Sequence, residues 1–560
     1  MIMDKNKLKF TISYSIIMFI MCFSLSIGYS ALNKELSIAG DAHYSIPEEV
    51  RITNIVQQSS SGMSTMYSPS HTKDTISFGV VSTSATVSYI EYAITVKNFT
   101  TSEKDIYGLS ALNGSSVFTY HLSDRGMKIA AGESRQYILR IECPSGHANA
   151  QYQDTLTLQI QAYDEHYLPN NTNSSYLLDI TTIAANKVES ISFANLFDIN
   201  DQIDAGTLTP TNQYLVSSNY AGLVAFIFDT DSDSYYEVII ASNNGEVFAG
   251  SETRIAYNMS FLTSIDFTNY NTSHLTSMNR MFHNCQRLPS VDLSGLDTSS
   301  VTSFENAFYN CNKLTSINFG NIDTHNVTTM KNAFQNLASS ASSTVTSMDF
   351  SQLNTSSVKN TSNMFRGSNV ASIILYGWDL AKVTNASYMF AQTNATTISY
   401  TTLNFTKATN LSYLFSESSS LTSINPSITT PAATNMSHMF YKTTAFTSSL
   451  DLSSFNTSKV TDMSYMFSYT GASSLNLSSF NTSIVSNMSY MFNYASNLRT
   501  VYVGSSWSTA ALTTYNDMFN LSGIYGGSNT NCTGYNTNGN EKNYAKIDGG
   551  TSSPGCFTSG

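Results

Sequence analysis

Three kinds of residue in this 560-residue chain have the types and spacing to do chemistry. The first is the acidic run Asp229, Asp231 and Asp233 in DTDSDSYYE, whose alternating carboxylates are calcium-ligand types. A twelve-residue calcium loop needs Gly at its sixth position and Glu at its twelfth. Those positions hold Ser234 and Ile240, so an exposed acidic turn before a strand at 236–240 is the expectation.

Cysteine is the second kind. Cys22 lies in an apolar run behind Met21, a poor setting for a lipid-acceptor thiol. Cys143, Cys285, Cys311, Cys532 and Cys556 make an odd and sparse set, which is not a disulfide framework. Cys285 (HNCQRL) and Cys311 (YNCNKL) hold one slot in successive repeats. Stacked neighbours there are either bonded or form a buried ladder of small apolar side chains, the plainer reading. Cys532 and Cys556 could staple the C-terminal end in an oxidising compartment. Cys143 and His147 in CPSGH lack the further ligands that structural zinc requires.

The third kind is tyrosine. Tyr388, Tyr413, Tyr465 and Tyr490 each stand two residues before a phenylalanine that closes a repeat. A stripe of partly exposed tyrosines suits protein or glycan binding; its plain alternative is packing between neighbouring coils. None of the nine histidines joins a Ser or Cys in a nucleophile motif, and there is no Gly-rich phosphate loop. No catalytic residue, metal or cofactor is therefore expected, and the chain reads as a non-enzyme.

Composition sets the elements that position these groups. Charged residues are only 12% and the net charge is −12, which argues against a nucleic-acid partner. Aromatics at 12%, with 34 Tyr and 31 Phe, argue against disorder. Lys5, Lys7 and Lys9 precede an apolar run from Phe10 to Ile27. Residues 1–31 thus read as a signal peptide cut before Ala31, or as a retained membrane anchor. Either sends the remainder across the membrane, to an extracellular or cell-surface location.

Residues 40–185 alternate with a period of two. Leu156, Leu158, Ile160 and Ala162 interleave with Thr155, Thr157, Gln159 and Gln161, which predicts strands with one buried face and a small β-sandwich. A polar hinge and last strand are expected at 170–190.

The second half repeats. A phenylalanine closing a Met-rich turn recurs at Phe282, Phe308, Phe334, Phe365, Phe390, Phe415, Phe440, Phe467, Phe492 and Phe519, in steps of 25 to 27 residues apart from one of 31 between Phe334 and Phe365. In the copy at 449–467, Leu450 and Leu452 predict a short strand, Asn456-Thr457-Ser458 a turn, and Thr461 or Asp462 the cap of one helical turn carrying Met463, Met466 and Phe467 on one face. Such units cannot bury their apolar face alone and must stack. The expected fold is mainly β with short helical turns: a β-sandwich, then a leucine-rich-repeat-like solenoid of about ten 25-residue coils at 262–523, with caps at 190–261 and 524–560.

The blocks LTSIDFTNYNTSHLTSMNRMF (262–282) and LDLSSFNTSKVTDMSYMF (450–467), with the ending YAKIDGGTSSPGCFTSG (544–560), resemble the BspA-type leucine-rich repeats of bacterial surface proteins, also described as lipoprotein-associated repeats of mycoplasma-type bacteria. The resemblance covers roughly residues 236–556. It implies a surface location and, more loosely, adhesion or ligand binding by the repeat face. The partners it implies are proteins or glycans at the cell surface. A sortase signal is absent, so attachment to a membrane is expected only through the N-terminal segment. A self-associating surface layer and an exported carbohydrate-active enzyme are the other readings; the scarcity of Asp and Glu in the repeats speaks against the enzyme.

Overall fold

The computed structural model describes residues 36–38, 42–44, 50–162 and 184–560, apart from 73, 113–114, 116, 124, 126, 205–206, 216–222, 243–244, 341–344, 426, 526–531, 533–540 and 549–554. The signal or anchor segment at 1–31 and most of the hinge expected at 170–190 lie outside the described residues. The chain is mainly β and divides into two compact units, Met1–Asp164 and Glu165–Gly560.

In the first unit, besides a short antiparallel pair at Leu36–Ile38 and Ala42–Tyr44, the alternation over 50–162 becomes eight strands: β1 (Val50–Ser61), β2 (Met63–His71), β3 (Thr75–Ser82), β4 (Ser88–Asn98), β5 (Lys104–Ala111), β6 (Thr119–Leu122), β7 (Ser134–Cys143) and β8 (Gln151–Ala162). They form two antiparallel sheets, ordered β1-β4-β7-β6 and β2-β3-β8-β5. Tyr92, Ile94 and Val96 from one sheet and Ile76, Phe78 and Leu156 from the other share one core. The edge strands β1 and β2 both carry irregularities in their pairing, which roughen an edge against further strand addition.

The second unit starts with β9 (Val188–Asn195), α1 (Leu196–Asp204), β10 (Asn212–Leu215), β11 (Leu223–Phe228), β12 (Tyr236–Ser242) and β13 (Ser264–Ile265). Their sheet order is β10-β11-β12-β9-β13. The segment 188–195 thus opens the second unit and does not complete the first.

From there the repeats stack in parallel. An unbroken series of parallel bridges runs Ser277, Ser303, Thr329, Asn360, Asn385, Asn410, Asn435, Asp462, Asn487, Thr514. The closing phenylalanines form one buried column from Phe282 to Phe519, with neighbouring rings 4.9 to 5.9 Å apart. The tripeptide turn has a division of labour. Asn456 Oδ1 accepts from the Ser458 amide, while the buried Thr457 reaches the next repeat.

The Met-rich segment differs from expectation: it is a series of tight turns, not a helical turn. The amides of Met466, Ser468 and Thr470 donate to the carbonyls of Met463, Tyr465 and Phe467. The alternate amides of Met463, Tyr465, Phe467 and Tyr469 donate sideways to Asn487, Ser489, Met491 and Asn493. A helix spends its amides on its own carbonyls, so it would leave none for the neighbouring repeat. Stacking wins because every buried amide must be paired. Met463, Met466 and Phe467 are buried in either geometry.

At the C-terminal end, β14 (Ser449–Asp451), β15 (Ser474–Leu477) and β16 (Thr500–Val503) are followed by β17 (Thr558–Ser559), which pairs with β16. Phe557 packs against Phe492, Trp507 and Phe519, and the Trp507 indole donates to Ala545 O at 2.9 Å. Cys532 and Cys556 are bonded, with Cα atoms 5.8 Å apart.

Candidate interaction surface

The turn geometry places two side chains per repeat under an unusual backbone constraint. The residue two before and the residue two after each closing phenylalanine have positive φ throughout the array. Asn is the non-glycine residue that visits this region most readily. The early repeats use it: Asn306, Asn332 and Asn363 before the phenylalanine, and Asn284, Asn310 and Asn336 after it. Their amides chain together, Asn284 to Asn258, Asn310 to Asn284 and Asn336 to Asn310, at 2.7 to 2.9 Å.

In the five repeats closed by Phe390 to Phe492 the slot before the phenylalanine holds an aromatic ring. Tyr388, Tyr413, Tyr465 and Tyr490 have φ of 56° to 60°, each at a cost of about 1–2 kcal/mol for a side chain in this conformation. They form a single stack with His438 in the middle. Centroid spacings are 4.2 Å (Tyr388–Tyr413), 4.2 Å (Tyr413–His438), 4.5 Å (His438–Tyr465) and 4.5 Å (Tyr465–Tyr490). The tyrosine spacing passes over His438, although its position two residues before Phe440 is the available signal. All five rings are partly exposed. Their faces are spent on one another, so the stripe presents edges and hydroxyls.

A second row escapes the sequence reading. Tyr469 and Tyr494, two residues after the phenylalanine, stack at 4.6 Å and are 38% and 41% exposed. Tyr441 lies where the second row begins and beside the middle of the first, 6.1 Å from Tyr469, 6.3 Å from Tyr465 and 5.5 Å from His438. Lys442 Nζ lies 5.0 Å from the Tyr441 ring and 5.9 Å from Tyr469.

Burial tunes the titratable members of the stack. It brings His438 down to about 4, against a smaller opposing pull from Asp462. Its Nδ1 is buried without a hydrogen-bond partner. Burial pushes Tyr413 up to about 12, with Tyr388 adding to it, and raises Tyr465. These phenols stay neutral donors and acceptors near neutral pH.

Cys285 and Cys311 are free and buried. Each thiol donates to a backbone carbonyl, of Ala256 and Phe282 respectively, at 3.0 Å, and burial pushes both well up. Cys143 is also free and buried, at the end of β7, and His147 is exposed.

The acidic turn gains a partner from another strand. Glu189, Asp231 and Asp233 bring carboxylate oxygens within 4.8 Å of one another, and Asp229 is not among them. Burial raises Glu189, and Asp233, Asp231, Glu237 and Asp229 add to the shift. Asp231 and Asp233 are exposed. Exposed acidic groups gather without an ion, and we assign none here.

Among the described residues, no helix is long and apolar enough to cross a membrane. The fold defines a mainly β repeat protein. Its repeats match, in three successive stretches at 253–348, 317–426 and 425–528, the family described as "Mycoplasma protein of unknown function, DUF285". No curated protein and no solved structure matches the chain.

Proposed function

We propose that the chain is an exported bacterial surface protein whose repeats, a solenoid of the leucine-rich type, serve as an interaction platform for protein or glycan ligands. The observation that carries this reading is the placement of tyrosine where the backbone favours asparagine. Tyr465, Tyr469, Tyr490 and Tyr494 all take left-handed conformations, and strain of this kind collects at binding sites. The basic and apolar start of the chain supports export. If that segment stays uncleaved, it holds the protein to a membrane. No catalytic role is part of the reading.

The test is a binding survey of the full chain against matrix proteins and glycans, with mass spectrometry of the mature N-terminus. The reading expects at least one saturable ligand; binding at background across the survey would overturn it. A structural, self-associating role is the second reading. The capping of both ends of the stack, by the sheet around β9 and by β17, favours the platform, because the terminal rungs are already paired. Light scattering across a concentration series separates the two.

A further inference from the structure

The two tyrosine rows of the last repeats run side by side along the stack. Tyr465 and Tyr490 form one, Tyr469 and Tyr494 the other, with spacings of 4.5 and 4.6 Å. Tyr441 stands at the start of the second row, beside the first. Leu521, in the slot of Tyr469 and Tyr494, continues the second row at 50% exposure. We infer that these paired rows bind an extended, uncharged polysaccharide laid lengthwise along the stack; the inference rests on the platform reading and specifies its ligand.

Charge points to an uncharged partner. Between Met436 and Tyr525 the chain has three basic residues (Lys442, Lys459, Arg499) and three acidic ones (Asp451, Asp462, Asp517) in some ninety positions. Two of the six, Lys442 and Asp517, occupy the positive-φ slots before Tyr469 and after Tyr490 and are opposite in sign, so the rows carry no net charge for an acidic or basic polymer to complement. Its polar groups are hydroxyls: the four phenols each donate and accept. A polyol is the matching chemistry.

Spacing separates a glycan from a peptide. An extended peptide brings a same-side group round every two residues, roughly 6.6 Å. That period drifts out of step with rungs 4.5 to 4.6 Å apart. In an extended polysaccharide every sugar ring carries hydroxyls on both of its edges, so even where successive rings are flipped a hydroxyl faces the rows at each ring, a spacing nearer to one rung than the peptide's. Because the ring faces are covered by stacking, each rung contributes only hydroxyl and edge contacts. Single sugars therefore bind weakly, and affinity accumulates along the chain.

The substitution that tests this is supplied by the protein's own early repeats. Changing Tyr469→Asn and Tyr494→Asn together puts into these slots the residue that Asn284, Asn310 and Asn336 already occupy, which relieves backbone strain. The full chain is titrated with β-1,4-linked glucan, N-acetylglucosamine and mannan oligomers from disaccharide to hexasaccharide, with hyaluronan and an uncharged unstructured peptide as contrasts. The expected result is tightening by about tenfold or more with length for one neutral series, loss of about tenfold in the double variant, and a Tm equal to or above that of the parent. Tyr465→Phe with Tyr490→Phe removes hydroxyls alone and weakens binding in the same direction. Failure of every neutral oligomer, length-independent affinity, preference for hyaluronan, or binding untouched by the asparagine variant would overturn the inference. Binding of a protein ligand in that case leaves the platform reading standing; an absence of any ligand in the wider survey removes both.

Discussion

Thr457 Oγ donates to the carbonyl of Asn481 at 2.9 Å and accepts from the amide of the same residue at 2.8 Å. One buried hydroxyl thereby satisfies both backbone groups of a residue in the next repeat. Thr298 does the same for Asp323, Thr355 for Asp379, and Thr430 for Asn456. The side chain stands in for a rung of backbone pairing, which explains why threonine recurs in this turn.

Thr457→Val keeps the shape and removes the hydroxyl. It leaves the part-buried amide and carbonyl of Asn481 without this partner, at a total cost of about 1–3 kcal/mol. Urea unfolding should show a lower midpoint for Thr457→Val and near-parental behaviour for Thr457→Ser. Equal midpoints for the two would remove the bridging role.

Acid should loosen the stack. His438, and His283 near the N-terminal end, are brought down to about 4, in both cases chiefly by burial. An unfolded histidine takes its proton near its ordinary value of about 6.5. Between those limits the unfolded chain binds more protons, so stability rises with pH and falls as pH drops from about 6.5 toward 4. His438→Tyr, which continues the tyrosine stack, should flatten part of that acid limb in a Tm-versus-pH series. An unchanged limb would show that His438 does not contribute.

The Cys532–Cys556 bond closes a segment with a sequence separation of 24. Chain-entropy reasoning puts its contribution at about 3.5 kcal/mol. Cys532→Ser with Cys556→Ser should open the C-terminal end first, red-shifting the emission of Trp507, whose indole bonds to Ala545 O. The stacked repeats should keep their circular dichroism. In the parent under native conditions, Cys285 and Cys311 should resist alkylation, because both are buried with raised thiols.

Removing like charge near Glu189 should stabilise the protein at neutral pH. Its carboxyl is raised, by burial first and then by its acidic neighbours. The folded state therefore disfavours its charge, a penalty present above the ordinary carboxylate range and absent below it. Asp231→Asn with Asp233→Asn should give a small rise in Tm at pH 7 and none at pH 3. Differential scanning calorimetry at the two pH values checks this.

Much of the array was legible because its period is carried by residues that must be buried. Phe467 and Phe492 mark the step, and Leu450 and Leu475 mark the strands, all of them buried. The turn is ambiguous in the sequence for a physical reason. Met463, Met466 and Phe467 at i, i+3 and i+4 fit a helical face, and they fit equally a pair of tight turns that returns its side chains to the same core. Only the demand of the next repeat for sideways amides decides between them, and that demand is not local to the segment. The tyrosine slot was legible as a slot. His438 and the Tyr469–Tyr494 row were not, because His438 departs from the slot in residue type and the second row in offset. Glu189 lies more than forty positions before Asp231, and only the parallel pairing of β9 with β12 brings it to the acidic turn.

The series of parallel bridges from Ser277 to Thr514 makes copy number a free variable. Each repeat bonds to the one before it and the one after it, so duplicating a whole period such as 468–492 would add a rung without disturbing any other. Removing a fraction of a period would put the phenylalanine column out of line with itself. A gene built this way can lengthen or shorten its product by recombination between repeats, and a lineage can tune the reach of the protein while leaving its architecture untouched.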